Sequence, residues 1–251
     1  MQPGKDKPVL VFLHYFGGSA LSWQWVTEKL LPAYHCVVPD LPGFGGATPL
    51  ESPSIEAMAR WVIEHIKKQG IHTYTLIGHS MGGKIAVQVA AYEEAAVQQL
   101  ILIAPSPPSV EPIPQAEKER MLRHPDRQEA EATVKKITLR PLTEEQHHLA
   151  VATQLIADPN TWRWWITEGT GHSIQDQAAR IHIPVTILAS EDDPSITFDT
   201  IQQSVLPAFP GAKLVTMKGV GHLSPMEACQ NLDSQEGEDS GTLDRLLLRC
   251  L

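Results

Sequence analysis

The sequence predicts an α/β fold with a mostly parallel central sheet. Two observations carry this. Short apolar runs alternate with longer segments of helical periodicity along most of the chain. The runs are apolar at successive positions, as strands buried on both faces require.

The elements follow in order. "PVLVFLH" (8–14) reads as the first strand, and "ALSWQWVTEKLL" (20–31) as the helix after it. "HCVVPD" (35–40) is the second strand. Ser54 is placed to cap a helix whose apolar stripe is Ile55, Met58, Val62 and Ile66 and which Gly70 ends. "YTLIG" is the third strand, and the helix after Ser80 carries Ile85 and Val89. "QLILIA" (99–104), "PVTILAS" (184–190) and "AKLVTM" (212–217) are strands four to six, with a helix through Ile201 and Val205 before the last.

The alternation stops between strands four and five. That stretch opens on Pro107, Pro108, Pro112 and Pro114 and continues as short charged helical segments. The expected division is a core of residues 1–106 and 176–230 with a small helical cap, 107–175, inserted after the fourth strand. Residues 231–251 form an atypical tail, polar and acidic at first and expected to be poorly ordered. Residues 242–251 have the pattern of a last amphipathic helix.

Composition excludes several functions. The 251 residues carry a net charge of −9, which disfavours nucleic acid and anionic membranes as partners. No apolar run approaches the roughly 18 residues of a membrane span. The start, "MQPGKDKP", has no apolar signal region, so a cytoplasmic protein is expected. Cys36, Cys229 and Cys250 are far apart and suggest neither disulfides nor a metal site. No cofactor is expected.

The strongest chemical signal is "IGHSMGG" (77–83). In a parallel sheet, ligands sit beyond the carboxyl ends of the strands. Ser80 falls at such an end, on the turn into a helix, between Gly78 and Gly82. This is the G-x-S-x-G nucleophile elbow. Glycines at both flanks remove Cβ atoms where backbone segments approach closely. The next N–H, that of Met81, opens the helix and is placed to stabilise negative charge.

A serine hydroxyl needs a base to take its proton, and the base needs an orienting carboxylate. In the elbow-type order the chain runs serine, acid, histidine. His222, in "KGVGHLSPME", lies just after the last strand, on the same sheet edge as Ser80. The acid is expected in "LASEDDPS", which offers Glu191, Asp192 and Asp193. Glu111, behind the prolines of "APSPPSVE", is a poor candidate for that role. His14 and His79 also sit near strand ends and are read as local supports of the turns. A second oxyanion donor is expected from the loop "HYFGGSALSW" (14–23).

The ordered set "LHYFGGS", "PDLPGFG", "IGHSMGG", "ASEDDP" and "GVGHLSPME" resembles the α/β-hydrolase superfamily, in its serine esterase, haloperoxidase-like and carbon–carbon hydrolase group with a helical cap. The resemblance runs from residue 8 to about 227. It implies Ser80 as nucleophile and His222 as base. It implies Asp193 as acid, three residues beyond the strand-closing Ser190, with Asp192 as runner-up. It implies Phe16 beside Met81 as oxyanion donor, although Tyr15 stands where relatives carry glycine. "DLPGFG" is read as structural. Relatives carry two strands ahead of the first motif, for which little chain precedes Pro8, so strand two is expected near a sheet edge.

The activity so implied is a carboxylesterase acting on small to medium apolar esters through an acyl-enzyme. The same residues also serve carbon–carbon hydrolases and cofactor-free perhydrolases, and some proteins of this fold are slow-turnover ligand receptors. In the cap, Trp162, Trp164 and Trp165 are read first as packing the cap onto the core. Tyr15, Trp162 and Trp165 are the candidate pocket walls.

Overall fold

The computed structural model describes residues 7–228. The expected tail and its last helix lie outside the described residues. Within them the sheet has six strands in the order β2-β1-β3-β4-β5-β6, every pair parallel. β1 is Val9–Leu13, β2 His35–Val37, β3 Tyr74–His79, β4 Val97–Ile103, β5 Val185–Ser190 and β6 Lys213–Met217. The short β2 is one edge, as expected, and β6 the other.

Period-two alternation puts the two faces of each strand into different cores. Val11, Leu13, Leu76, Leu100 and Leu102 join one cluster; Leu10, Phe12, Ile77, Ile101 and Ile103 join the other. Both sets are fully buried, which is why these strands read as continuous apolar runs. The second cluster is closed by α1 (Gln24–Leu30) through Val26 and Leu30. The first is closed by α2 (Ile55–Lys68) and α3 (Met81–Tyr92).

α2 shows the local logic. Ser54 Oγ accepts the Ala57 N–H at 3.0 Å, satisfying a helix-end donor. Ile55, Met58, Val62 and Ile66 are buried, each contributing roughly 1.5–3 kcal/mol.

Between β4 and β5 lie α4 (Gln115–Met121), α5 (Arg127–Ile137), α6 (Glu144–Ile156), α7 (Pro159–Trp164) and α8 (Gln175–Ala178). No strand falls in this stretch. α5 and α6 bury Ala130, Val134, Ala150 and Val151 against Tyr15, Leu223 and Met226. The helical segment therefore packs directly on the loops that follow β1 and β6.

Two expected helices are less regular than their patterns. Residues 20–31 begin as a 3₁₀ turn, Ala20–Trp23, before α1. The helix through Ile201 is a short α9 (Phe198–Thr200), a π turn (Ile201–Val205) and a 3₁₀ turn (Leu206–Ala208). Pro207 has no N–H to continue an α-helical ladder.

Candidate active site

The site begins with the backbone at Ser80. Its φ of 54° and ψ of −119° lie outside the regions open to ordinary residues. Such a conformation costs about 1–3 kcal/mol and persists only where neighbours enforce it. The neighbours are close: a Cβ on Gly78 would stand 2.5 Å from the Gly82 carbonyl oxygen. A Cβ on Gly82 would stand 2.5 Å from the Leu13 carbonyl oxygen. The Ser80 N–H donates to Ile103 O, and its carbonyl accepts from Gly83, Lys84 and Ser106. Gly78 and Gly82 thus allow β1, β3 and α3 to converge under a raised hydroxyl.

Ser80 Oγ lies 2.9 Å from His222 Nε2, and His222 Nδ1 lies 2.8 Å from Asp193 Oδ2. The structure thus brings three sequence-expected residues into one hydrogen-bonded line. Asp193 is itself held, its Oδ1 accepting the N–H groups of Ser195 at 2.7 Å and Ile196 at 3.1 Å. Asp192 points elsewhere, its carboxylate accepting the Gly219 N–H at 2.7 Å. Glu191 pairs with Lys218 on the surface.

His222 sits in a loop with several anchors. Its N–H donates to Ile137 O at 2.7 Å, at the end of α5. Its carbonyl accepts from the His79 ring at 2.8 Å. Burial favours neutral His222, yet its pKa is raised above 6.5, because the Asp193 charge and hydrogen bond, with Glu111 and Glu227 behind them, outweigh the burial. His79 goes the other way: burial, and then the neighbouring His222, push it well below 6.5. It remains a neutral donor.

The loop after β1 is held by His14. Nδ1 lies 2.8 Å from Tyr15 O, while Nε2 accepts the Leu41 N–H at 3.1 Å. Burial pushes this ring down to about 4, consistent with a neutral bridge. Asp40, in "PDLPGFG", accepts the Ala20 N–H at 2.6 Å, tying that loop to the end of the β1 loop. Phe16 is clasped by Trp162, ring centroids 4.2 Å apart, and by Trp165 at 6.1 Å. Met81 is the first residue of α3, whose N–H has no partner within the helix.

These parts meet at a cavity of about 490 Å³. Ser80, His222, Tyr15, Phe16 and Trp165 line it, with Met121 and Ile137 from the helical segment. Trp162 walls a smaller adjoining chamber of about 50 Å³ and donates its indole N–H to Met121 O at 2.8 Å. Trp162, Trp164 and Trp165 all belong to the main core cluster, and of the three Trp162 and Trp165 also line a chamber.

Three side chains at the site were not singled out by sequence as part of its machinery. Glu227 takes three backbone N–H groups around the His222 loop. Its signal was the "SPME" ending of the histidine motif. Asp40 lay within a motif read as structural, which its bond to Ala20 fits. Glu111 lines the cavity beside Ser80 and His222. Only its place behind the prolines, not its chemistry, speaks against it. Among the described residues no cluster of histidine, cysteine or carboxylate groups is arranged to hold a metal ion.

A parallel sheet whose central strand ends in a strained serine turn, facing a histidine loop after the last strand, defines the α/β-hydrolase class. The chain belongs to the alpha/beta hydrolase family, whose model matches residues 10–232. Over 100 residues it is 38% identical to the pimeloyl-[acyl-carrier protein] methyl ester esterase of Vibrio vulnificus, covering 40% of this chain and 38% of that protein. Over 101 residues it is 35% identical to the 2-succinyl-6-hydroxy-2,4-cyclohexadiene-1-carboxylate synthase of Klebsiella pneumoniae, covering 40% and 39%. The matches span less than half the length of these relatives. In fold the chain is similar to an esterase from Exiguobacterium antarcticum (TM-score 0.79, 18% identity, 86% of this chain and 85% of that one). It is equally similar to a bromoperoxidase from Bacillus anthracis (TM-score 0.79, 18% identity, 86% of each).

Proposed function

We propose that this protein is a serine hydrolase that cleaves small to medium apolar carboxylic esters through an acyl-enzyme. The observation that carries the reading is the hydrogen-bonded line Ser80–His222–Asp193 opening onto a cavity of about 490 Å³. That volume is within the range of small-molecule sites, roughly 300–1,000 Å³. The esterase relative supports the reaction class.

In this mechanism Ser80 Oγ gives its proton to His222 Nε2 as it attacks the ester carbonyl. Asp193 accepts the Nδ1 proton's hydrogen bond and stabilises the imidazolium. The N–H groups of Met81 and Phe16 receive the oxyanion, each such donor typically contributing on the order of 10²–10³ in turnover. His222 then protonates the departing alcohol, and water repeats the sequence on the acyl-enzyme. Phe16, Met121, Ile137 and Trp165 supply apolar surface for the ester's hydrocarbon groups, while Glu117, Arg120 and Lys136 line the same cavity.

The test is a series of p-nitrophenyl esters of increasing chain length. Turnover with a clear optimum at short to medium chains, abolished by a phosphonate that labels Ser80, is expected. Tight ester binding without turnover would replace this reading with that of a receptor.

A further inference from the structure

The hydrolytic mechanism leaves two titratable side chains unused, the buried Lys84 and the partly buried Glu111. Lys84 lies on α3, one turn beyond Ser80, and is fully buried. Its ammonium donates to Ser109 O at 3.1 Å. Glu111 lines the cavity that holds Ser80 and His222, and its Oε2 accepts a short hydrogen bond from Ser106 Oγ. The Glu111 N–H is fixed by Thr170 O at 2.8 Å. Ser106 closes the circle, since its own N–H donates to Ser80 O at 3.0 Å. The chain just before it is constrained too, with Ala104 at a φ of 39°.

A lysine and a glutamate are costly to withdraw from water unless something offsets the loss. Here the two are anchored around the nucleophile itself, where apolar packing would have been simpler. The cost is visible in both groups. Burial drives Lys84 down to about 8 and Glu111 upward, each partly opposed by the charge of the other.

We propose that Glu111 is a positioning residue of the active site, a second carboxylate that Ser106 holds on the wall of the cavity His222 also lines, where it favours the imidazolium. It touches none of the reacting atoms. It acts because a carboxylate in a water-poor site stabilises a nearby imidazolium, which forms whenever Ser80 gives up its proton. Asp193 fixes the ring's orientation and tautomer, whereas Glu111 adds charge only. The groups around His222 are Asp193 from the β5 loop, Glu111 from the β4 loop, Glu227 from the short helix Ser224–Glu227 and the neutral His79 from β3. Lys84 faces Glu111. This inference rests on His222 being the base of the proposed hydrolase.

The test compares wild type with Glu111→Gln, which keeps the shape and an acceptor for Ser106, and with Ser106→Ala, which removes the donor but keeps the carboxyl. NMR titration of the His222 ring reads the electrostatic effect without turnover. The pH dependence of kcat/KM on one uncharged ester reads it in catalysis. In Glu111→Gln both midpoints are expected to fall by about half a pH unit or more. Plateau kcat should fall about 3- to 10-fold with KM changed less than about twofold. Ser106→Ala should show a smaller shift of the same sign, and it stands alone if Glu111→Gln fails to fold. A His222 titration that stays within about 0.2 unit of wild type in the variants overturns the inference. The proposed hydrolase survives that result if wild type still turns over. A shifted titration in a protein that hydrolyses no ester upholds the charge coupling and sinks the esterase reading instead.

Discussion

Glu227 Oε2 accepts the Gly221 N–H at 2.8 Å, one residue before His222. The same oxygen accepts the N–H groups of Leu139 and Arg140, both at 2.9 Å. One fully buried carboxylate thus clasps the histidine loop to the chain leaving α5. Glu227→Ala strands three donors, and an unsatisfied buried donor costs about 1–3 kcal/mol. We expect a loss of about 3 kcal/mol or more in urea unfolding, together with reduced kcat. Glu227→Gln keeps an acceptor and should lose less. Unchanged stability in Glu227→Ala would show that the clasp is not needed.

Ser80→Ala should remove ester hydrolysis while the protein stays folded. The side chain itself makes no structural bond except to His222. Loss of the nucleophile in a comparable hydrolase costs roughly 10⁶ in kcat. Circular dichroism checks the fold, and retention of more than a trace of activity on every ester would reject the assignment.

The two aspartates separate cleanly. Asp193→Asn presents an amide where His222 needs a carboxylate, and the equivalent change in a serine protease costs about 10⁴ in kcat. Asp192→Asn touches only the Gly219 N–H, and should cost less than about tenfold. Both are assayed on one ester at one pH. A larger loss for Asp192→Asn would place the acid one residue earlier.

His222 must be neutral to accept the Ser80 proton. Because its pKa is raised above 6.5, activity should be lost as pH falls through a midpoint above that value. His14 and His79 are held low, so neither adds a second step near neutrality. A kcat/KM profile with its acid midpoint below about 6 would contradict the base assignment.

Gly82→Ala should destabilise the protein and lower activity together. The new methyl would meet Leu13 O and His14 O at 2.5 and 2.6 Å, both backbone atoms that cannot swing aside. Overpacking of this kind costs typically about 1–3 kcal/mol. Thermal unfolding of the variant measures it, and a wild-type Tm would mean that the turn has more room than its geometry indicates.

The candidate site was legible because its residues fall in local motifs. Ser80 was visible from Gly78 and Gly82, since only glycine fits where strand and helix backbones touch. His222 was visible from its place after the last strand. Glu191, Asp192 and Asp193 were not separable by residue type, and the choice of Asp193 came from the three-residue count after Ser190 that the resemblance implies. In the structure Asp193 is the carboxylate turned toward the ring, because Ser195 and Ile196 donate to its other oxygen and fix the turn.

The sequence by itself determined the parallel sheet, the helical segment between β4 and β5 and the positions of serine and histidine. Each depends on spacing along the chain: continuous apolar runs, a change of period, a glycine two residues away. Tertiary structure decided which distant groups share the cavity. Glu111 shares a cavity with Ser80 and His222, Glu227 joins Gly221 to Leu139, and Trp162 packs against Phe16. Those partners are brought together by the way the helical segment folds back over the sheet edge. The physical reason is that hydrophobic packing sets where a segment lies, while nothing in a residue's near neighbours records which remote backbone N–H or ring will face it.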